Sequence, residues 1–314
     1  MRGRGRPDGR RGPGRRRQGG APGARGWGRP LRRGARRGGG LVPELPEVTV
    51  IAEDVRSLAG GREVTRAAIS RDDVSNAGVA DFGEKLVGKT LEGTGRRGKI
   101  ITLDFGDVVG LVHLVISGRV LRLPGWREPD KIHTAVVEFG GEEPLVLAFT
   151  RLWLGYFDLY DPDGVEGHPL IERLGPDPFS EDFTVEYLRG IFSRKAAIKG
   201  LLLDQSMIAG LGNIYVDEVL FEAGVHPTRK ANTLTETEIE AIHRASRDIL
   251  SRAIELRGTT FDSYHDAFGE TGKFQHQLKV FTHAGEPCPV CGTEITKLRV
   301  AGRGTHVCPT CQPL

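Results

Sequence analysis

The spacing of hydrophobic positions changes twice along the chain, and each change predicts a different kind of structure. From Val48 to Leu58 apolar residues recur at helical spacing, with Pro46 at the start and Gly60 and Gly61 at the end. A proline at the beginning and glycines at the end are typical of an α-helix. Short β-branched or aromatic runs follow, and these predict the antiparallel strands of a sandwich or barrel: KIITLDFG, VVGLVHLVIS, HTAVVEFG, PLVLAFT and GYFDLYD.

The pattern becomes helical again in the second half of the chain. The Pro- and Gly-rich stretch EGHPLIERLGPDPFSED separates the two halves and predicts an inter-domain linker. Beyond it lie four runs with helical spacing: FTVEYLRGIFSR, AAIKGLLLDQSMI, NIYVDEVLFEAG and TETEIEAIHRASRDILSRAIELRG. No run approaches the ~18 apolar residues of a membrane span. The chain is therefore predicted to have a strand-rich domain followed by a helical one.

Composition separates residues 1–42 from the rest of the chain. They hold fourteen Arg and fourteen Gly against one Asp, a net charge of +13, whereas the remaining residues carry −10. A segment so basic and so poor in apolar residues cannot offset its ordering entropy, so we predict that it is disordered. Two interpretations stay open: a nucleic-acid-binding tail, or a translated GC-rich leader that is not part of the native protein. No apolar core of a secretory signal follows the charges.

All four cysteines lie near the C-terminus and predict a metal site. Cys288 and Cys291 form one C-x-x-C pair, and Cys308 and Cys311 form another after sixteen residues. This is the spacing of a four-thiolate zinc ribbon, and four protein ligands leave no open position for catalysis. The segment KLRVAGRGTHV between the pairs predicts a hairpin with Arg303 near its tip, which suits phosphate binding.

A glycine turn at residues 210–212 precedes a helix that begins at Asn213. The free amides of a helix start form an anion site, and two helices joined by a tight glycine turn are typical of DNA-backbone binding. The turn alone is also compatible with a plain connection between helices.

Taken together, the motifs resemble the formamidopyrimidine-DNA glycosylase / endonuclease VIII family. They occur in the family's order and cover about residues 43–314: PELPEV, RRGKI, HLVISG, GLGNIY, GTT and GEPCPVCG. The resemblance implies an α+β protein with a helix-capped β-sandwich over residues 43–170. A helical domain with a helix–two-turn–helix element would follow over 176–275, and a zinc finger over 276–314.

The resemblance also implies the catalytic residues. Pro43 matches the N-terminal proline that attacks C1′ of a damaged nucleotide and forms a Schiff base. An amide nitrogen cannot do this because its lone pair is delocalised, so we expect the mature chain to begin at Pro43, after initiation at Val42. Glu44 matches the acid that protonates the sugar ring oxygen, and Lys99 matches the lysine that assists β-elimination. Arg303 matches the zinc-hairpin arginine that grips the lesion phosphates and assists δ-elimination. Glu47 is interpreted as a carboxylate that favours the helix start through its dipole.

Further residues match the family's contacts to damaged double-stranded DNA. These are His133, Lys195 and Asn213 as backbone contacts, and Ile116 and Arg151 in the loops that fill the space of the everted base. The second loop reads TRLWLG, lacks the family's Arg-Arg-Phe, and offers Leu152, Trp153 and Leu154 instead. We therefore expect an apolar wedge and weak dependence on the opposite base.

The resemblance favours a monomeric base-excision-repair enzyme that is both an N-glycosylase for oxidised purines and an AP lyase. HLVISG and the long segment 261–275 are of the purine type. Two alternatives stay open: an endonuclease VIII-type enzyme for oxidised pyrimidines, and a non-catalytic damaged-DNA binder if residues 1–42 are retained. Zinc is the expected cofactor, with no nucleotide cofactor and no membrane partner, and the expected location is the bacterial cytoplasm at the nucleoid.

Overall fold

A computed structural model describes residues 42–261 and 264–314 of the chain. The prediction of disorder over residues 1–42 therefore falls, apart from Val42, outside the described residues. The α-helices within that range are α1 (Leu45–Ala59), α2 (Gly78–Leu86), α3 (Pro162–Val165), α4 (Val185–Phe192), α5 (Ile198–Leu203), α6 (Asn213–Glu222) and α7 (Glu236–Glu255). The strands are β1 (Val64–Ile69), β2 (Gly93–Arg97), β3 (Ile100–Asp104), β4 (Val109–His113), β5 (Arg119–Leu123), β6 (His133–Phe139), β7 (Leu145–Thr150), β8 (Tyr156–Tyr160), β9 (Thr296–Val300) and β10 (Arg303–Val307).

Two four-stranded antiparallel sheets form the N-terminal sandwich. Their strand orders are β1-β6-β7-β5 and β2-β3-β4-β8. The inner faces share one core, where Phe157 meets Phe82 and Phe149 edge to face with ring centroids 5.1 and 4.8 Å apart. Helix α1 covers this core with Ile51 and Val55, each of which contributes about 1.5–3 kcal/mol by burial. The predicted α+β fold and the five predicted strands are confirmed.

The helical domain has a second core, built around α6. Eight of the ten residues of this helix are buried, among them Tyr215 and Leu220, because α5 and α7 pack against it. The helix predicted over AAIKGLLLDQSMI is shorter than expected and ends at Leu203. Leu45, the first residue of α1, belongs to this second core although the rest of α1 packs on the sandwich. Helix α1 therefore joins the two domains. No helix among residues 42–261 and 264–314 is long and apolar enough to cross a membrane.

The C-terminal segment is a hairpin of β9 and β10 beside a cluster of the four cysteines. Their Sγ atoms all lie within 4.8 Å of one another, with Cys291 and Cys308 3.4 Å apart and Cys288 and Cys311 3.8 Å apart. Four thiolates at about 2.3 Å from one tetrahedral zinc ion would lie ~3.8 Å from each other. The residues present therefore fit a structural zinc ion.

Replacing Cys308 by Ser should remove the metal from the hairpin. We expect zinc content to fall from about one ion per chain to near zero, because three thiolates do not complete the closed site. DNA binding should fall with it, since Arg303 is carried by the same hairpin. Metal analysis of the purified variant tests this, with Thr310→Ser as the control within the same knuckle. Retention of a full equivalent of zinc in Cys308→Ser would contradict the assignment.

Candidate active site at the start of helix α1

The carboxylate of Glu44 lies buried at the amino end of α6. Its Oε1 accepts the backbone N–H of Ile214 at 3.0 Å, and its Oε2 lies 3.5 Å from the backbone nitrogen of Tyr215. Free amides and the positive end of the helix dipole stabilise a carboxylate at such a position. Burial nevertheless raises the pKa of Glu44 to about 7, against the opposing effects of the Lys99 charge and the two N–H groups. Glu44 can therefore exchange a proton near neutral pH.

Two glycines allow this approach between α1 and α6. A Cβ atom on Gly212 would lie 2.3 Å from the carboxyl carbon of Glu44, and one on Gly210 would lie 2.5 Å from Cδ1 of Leu45. Gly210 also has a φ of +90°, and its carbonyl accepts the backbone N–H of Leu45 at 3.0 Å. The GLG turn thus makes room for the first residues of α1, a role that its sequence did not indicate.

Glu47 is buried and joins α1 to α6 and to the GTT segment by hydrogen bonds, a role beyond its interpretation as a helix-start carboxylate. Its carboxylate accepts the hydroxyl of Tyr215 at 2.6 Å, the backbone N–H of Thr259 at 2.8 Å and the backbone N–H of Glu44 at 2.9 Å. Gly258 has a φ of +78°, and a Cβ there would lie 2.8 Å from Glu47 Oε1. The GTT motif therefore fits around Glu47 and fixes the backbone beside Pro43 and Glu44.

Lys99 and Arg303 bring positive charge to this pair of carboxylates. Lys99 lies in the turn between β2 and β3, where Gly98 packs against Ala209 of the segment before the GLG turn. Burial lowers the pKa of Lys99, the charges of Glu44 and Glu47 raise it, and the charge of Arg303 lowers it. The structure thus brings Glu44, Lys99 and Arg303 together, next to the buried Pro43.

Asn213 reaches the zinc hairpin, and a lysine that the sequence analysis missed does the same. The Asn213 amide nitrogen donates to the carbonyl of Gly304 at 3.0 Å. Lys199 is fully buried, and its ammonium donates to Asp217 at 2.6 Å and to Thr305 at 2.8 Å. The predicted contact Lys195 instead lies exposed in the loop before α5. A lysine inside the apolar run IKGLLL was the available signal, because a buried ammonium needs such partners.

His113 is a second residue near the site that the sequence analysis did not single out. Its ring packs edge to face on Tyr156 with centroids 5.6 Å apart. Burial lowers its pKa to about 4, with the charge of Lys99 acting in the same direction. His113 is therefore neutral at neutral pH, and its buried Nδ1 has no hydrogen-bond partner within the described ranges.

The predicted wedge residues lie at one end of the β1-β6-β7-β5 sheet, which is called the outer sheet below. Val115 and Ser117 have φ values of +51° and +64°, and this strained turn leaves Ile116 exposed between them. In the second loop Trp153 and Leu154 are about half exposed, at 55% and 52%.

The remaining residues of this end of the sheet are His133, Arg151 and Leu152. His133 begins β6 and pairs with Thr150 at the end of β7. Arg151 follows with a φ of +54°. Leu152 is fully buried in the sandwich core, so its prediction as a wedge residue was wrong: this apolar side chain packs inward with the core rather than toward the DNA.

Comparison with known proteins agrees with this arrangement. Family models match three parts of the chain: the formamidopyrimidine-DNA glycosylase N-terminal domain at residues 42–152, the formamidopyrimidine-DNA glycosylase H2TH domain at 174–265, and the zinc finger found in FPG and IleRS at 285–314. A formamidopyrimidine-DNA glycosylase of Symbiobacterium thermophilum is 42% identical over 278 residues, which cover 87% of this chain and 90% of the relative.

Solved structures of Lactococcus lactis Fpg give the same result. A complex of one of its point mutants with Fapy-dG-containing DNA has a TM-score of 0.79 at 35% identity, covering 87% of this chain and 100% of the other. A complex of the wild-type protein with oxidised-pyrimidine DNA has a TM-score of 0.78 at 35% identity, with the same coverage. The family models and the relative match most of the described residues, and both similar structures are complexes with DNA. This chain belongs to the formamidopyrimidine-DNA glycosylase family.

Proposed function

We propose that this protein excises oxidised purines from double-stranded DNA and cleaves the resulting AP site through a Schiff base on Pro43. The observation that supports this most strongly is the burial of Glu44 at the amino end of α6 beside the buried Pro43, with the charges of Lys99 and Arg303 nearby. A nucleophilic amine needs a nearby acid and positive charge for the phosphates, and these residues supply both.

In the proposed reaction the neutral nitrogen of Pro43 attacks C1′ of the damaged nucleotide, and the bond from C1′ to the base breaks. The base leaves with the electron pair of that bond and with the proton that the attacking proline nitrogen loses. Glu44 then donates its proton to the ring oxygen, which keeps the electrons of the broken bond to C1′, and the lone pair of the proline nitrogen forms the iminium double bond to C1′. The ionised Glu44 then takes a proton back during elimination. A pKa of about 7 suits both directions of transfer at neutral pH.

The proposed DNA contacts fall into two groups. We propose that Asn213 on α6 and Arg303 on the zinc hairpin, which Asn213 joins through the carbonyl of Gly304, contact the lesion strand. His133 and Arg151, at the end of the outer sheet, are proposed to contact the DNA from the sandwich domain. We propose that Ile116, Trp153 and Leu154 fill the gap left by the everted base. The indole N–H of Trp153 donates to the carbonyl of Lys131 at 3.1 Å, which holds this wedge in place. Lys195 remains a predicted phosphate contact on an exposed loop.

Oxidised pyrimidines are a second candidate substrate class. The similar Lactococcus lactis structures include complexes with Fapy-dG DNA and with oxidised-pyrimidine DNA. Glycosylase assays on a lesion panel that contains both classes separate the two, since a purine-type enzyme should release the formamidopyrimidine faster.

A free proline nitrogen should be required for covalent trapping. We expect borohydride to trap a protein that starts at Pro43 on an AP-site duplex, and to fail when residues 1–42 precede Pro43, because acylation removes the lone pair. Denaturing gel analysis of the trapped complex tests this, with both N-termini verified by mass. Residues 1–42, with their net charge of +13, should still raise non-specific DNA affinity at low salt. A binding measurement alone therefore does not show whether Pro43 is the nucleophile. Equal trapping by both forms would show that a lysine is the nucleophile, and Lys99 would be the first candidate to test.

The rate of trapping should have a bell-shaped pH dependence with its maximum between about pH 7 and 8. Below this range the proline amine, with an ordinary pKa near ~8, is protonated and cannot attack. Above it Glu44, whose pKa burial raises to about 7, has lost the proton that it must donate. Glu44→Gln should trap slowly and show no decline on the alkaline side. If the trapping rate of Glu44→Gln still declined at alkaline pH, the decline would be due to the titration of another group.

A further inference from the structure

Two arginines at the end of the outer sheet have no acceptor in the part of the protein that the structure describes. Arg119 is the first residue of β5 and pairs with Thr150, and Arg151 directly follows Thr150. Within residues 42–261 and 264–314 neither guanidinium forms an ion pair or a side-chain hydrogen bond, and Nε of Arg119 is buried without a partner. Each guanidinium carries five N–H donors, so the pair holds a large unused donor capacity.

The two positive charges also act on each other. Burial lowers the pKa of Arg119, and the charge of Arg151 lowers it further. Two like charges side by side without a counter-charge are unfavourable in the free protein. Other arginines of the protein form salt bridges with carboxylates, for example Arg96 with Asp177 at 2.8 Å and Arg257 with Asp266 at 2.6 Å. An anion bound between Arg119 and Arg151 would remove the repulsion and use the donors.

The strand register places this pair beside the proposed wedge. Arg119 and His133 both pair with Thr150, one from each side, so all three lie in a row across β5, β7 and β6. The turn that exposes Ile116 leads directly into Arg119, and the loop that exposes Trp153 leads on from Arg151. A group bound by both arginines would therefore lie next to the point where the wedge enters the duplex.

We infer that Arg119 and Arg151 together bind one phosphodiester of the undamaged DNA strand, opposite the lesion. This rests on the proposed function for the identity of the ligand. A neutral base could accept hydrogen bonds but could not neutralise two guanidinium charges, whereas a phosphate does both and matches the planar fork of each arginine. The undamaged strand is assigned because Asn213 on α6 and Arg303 on the zinc hairpin are already proposed to hold the lesion strand.

Binding of the Pro43-start protein to a duplex with an uncleavable abasic analogue tests the inference. Arg119→Gln should weaken binding about tenfold and make the slope of log affinity against log salt shallower by about one unit. Arg119→Lys should keep the slope and lose part of the affinity, because it retains the charge without the fork. Arg122→Gln is the matched control, since Arg122 is exposed on the same strand and the same charge is removed. Thermal unfolding of each variant identifies any that fail to fold.

Single methylphosphonate substitutions then locate the contact. At one position of the undamaged strand, loss of the phosphate charge should weaken the wild-type protein about tenfold and leave Arg119→Gln unaffected. Arg122→Gln should respond as the wild type does. Additive effects at every position, an effect confined to the lesion strand, or a changed opposite-base preference without a phosphate effect would each overturn the inference. Because the abasic analogue cannot react, a failure of borohydride trapping on a true AP site would count against the proposed chemistry alone.

Discussion

The buried carboxylate of Glu44 at the amino end of α6 is the interaction on which the rest of this structure depends. It places the first residues of the sandwich domain inside the helical domain, where Leu45 joins the second hydrophobic core. Burying a carboxylate is costly unless hydrogen bonds compensate, and here the backbone N–H groups at the start of α6 offset part of that cost. The two domains are thereby held where the proposed nucleophile Pro43, the proposed acid Glu44 and the cations Lys99 and Arg303 come together.

The same contacts that hold the domains together also set the chemistry. Glu47 fixes the backbone of Glu44 on one side and the GTT segment on the other, so the residues proposed to react are held by buried groups rather than by loops. Lys199 connects α5 to Asp217 of α6 and to Thr305 of the zinc hairpin. These contacts fix the hairpin that carries Arg303 to α5 and α6.

The sequence predicted those parts of the molecule that depend on local pattern. Helices α1 and α7 follow from apolar spacing and end signals, and the four cysteines follow from ligand spacing. Strand β2, with the sequence GTGRR, could not be predicted because it is an edge strand without a single apolar residue. Its position comes from pairing with β3, which only the tertiary fold provides.

The candidate site shows the same division. Glu44, Lys99, Asn213 and Arg303 could be selected from the sequence because each lies in a motif of a few neighbouring residues. The structure brings these four residues together. The roles of Lys199 and Glu47 depend on residues distant in sequence, such as Thr305 and Thr259, so their partners could not be predicted from the local pattern. A lysine within an apolar run indicates only that Lys199 needs buried partners. Leu152 was assigned to the wedge by its place in a loop, but its side chain packs in the sandwich core, a contact that only the tertiary fold provides.

Replacement of Gly212 by Ala tests the central claim most directly. Gly212 has an ordinary extended φ of −137°, so alanine is allowed there and only the contact with Glu44, at 2.3 Å from the new Cβ, opposes it. Gly190→Ala in α4 is the control, because a Cβ at that position meets no atom within 4 Å. Single-turnover borohydride trapping of the Pro43-start protein should fall at least about 100-fold in Gly212→Ala, which corresponds to ~2.7 kcal/mol, and stay unchanged in Gly190→Ala. A trapping rate of Gly212→Ala equal to that of the wild type would contradict the claim that the site depends on the contact between the Glu44 carboxylate and the start of α6.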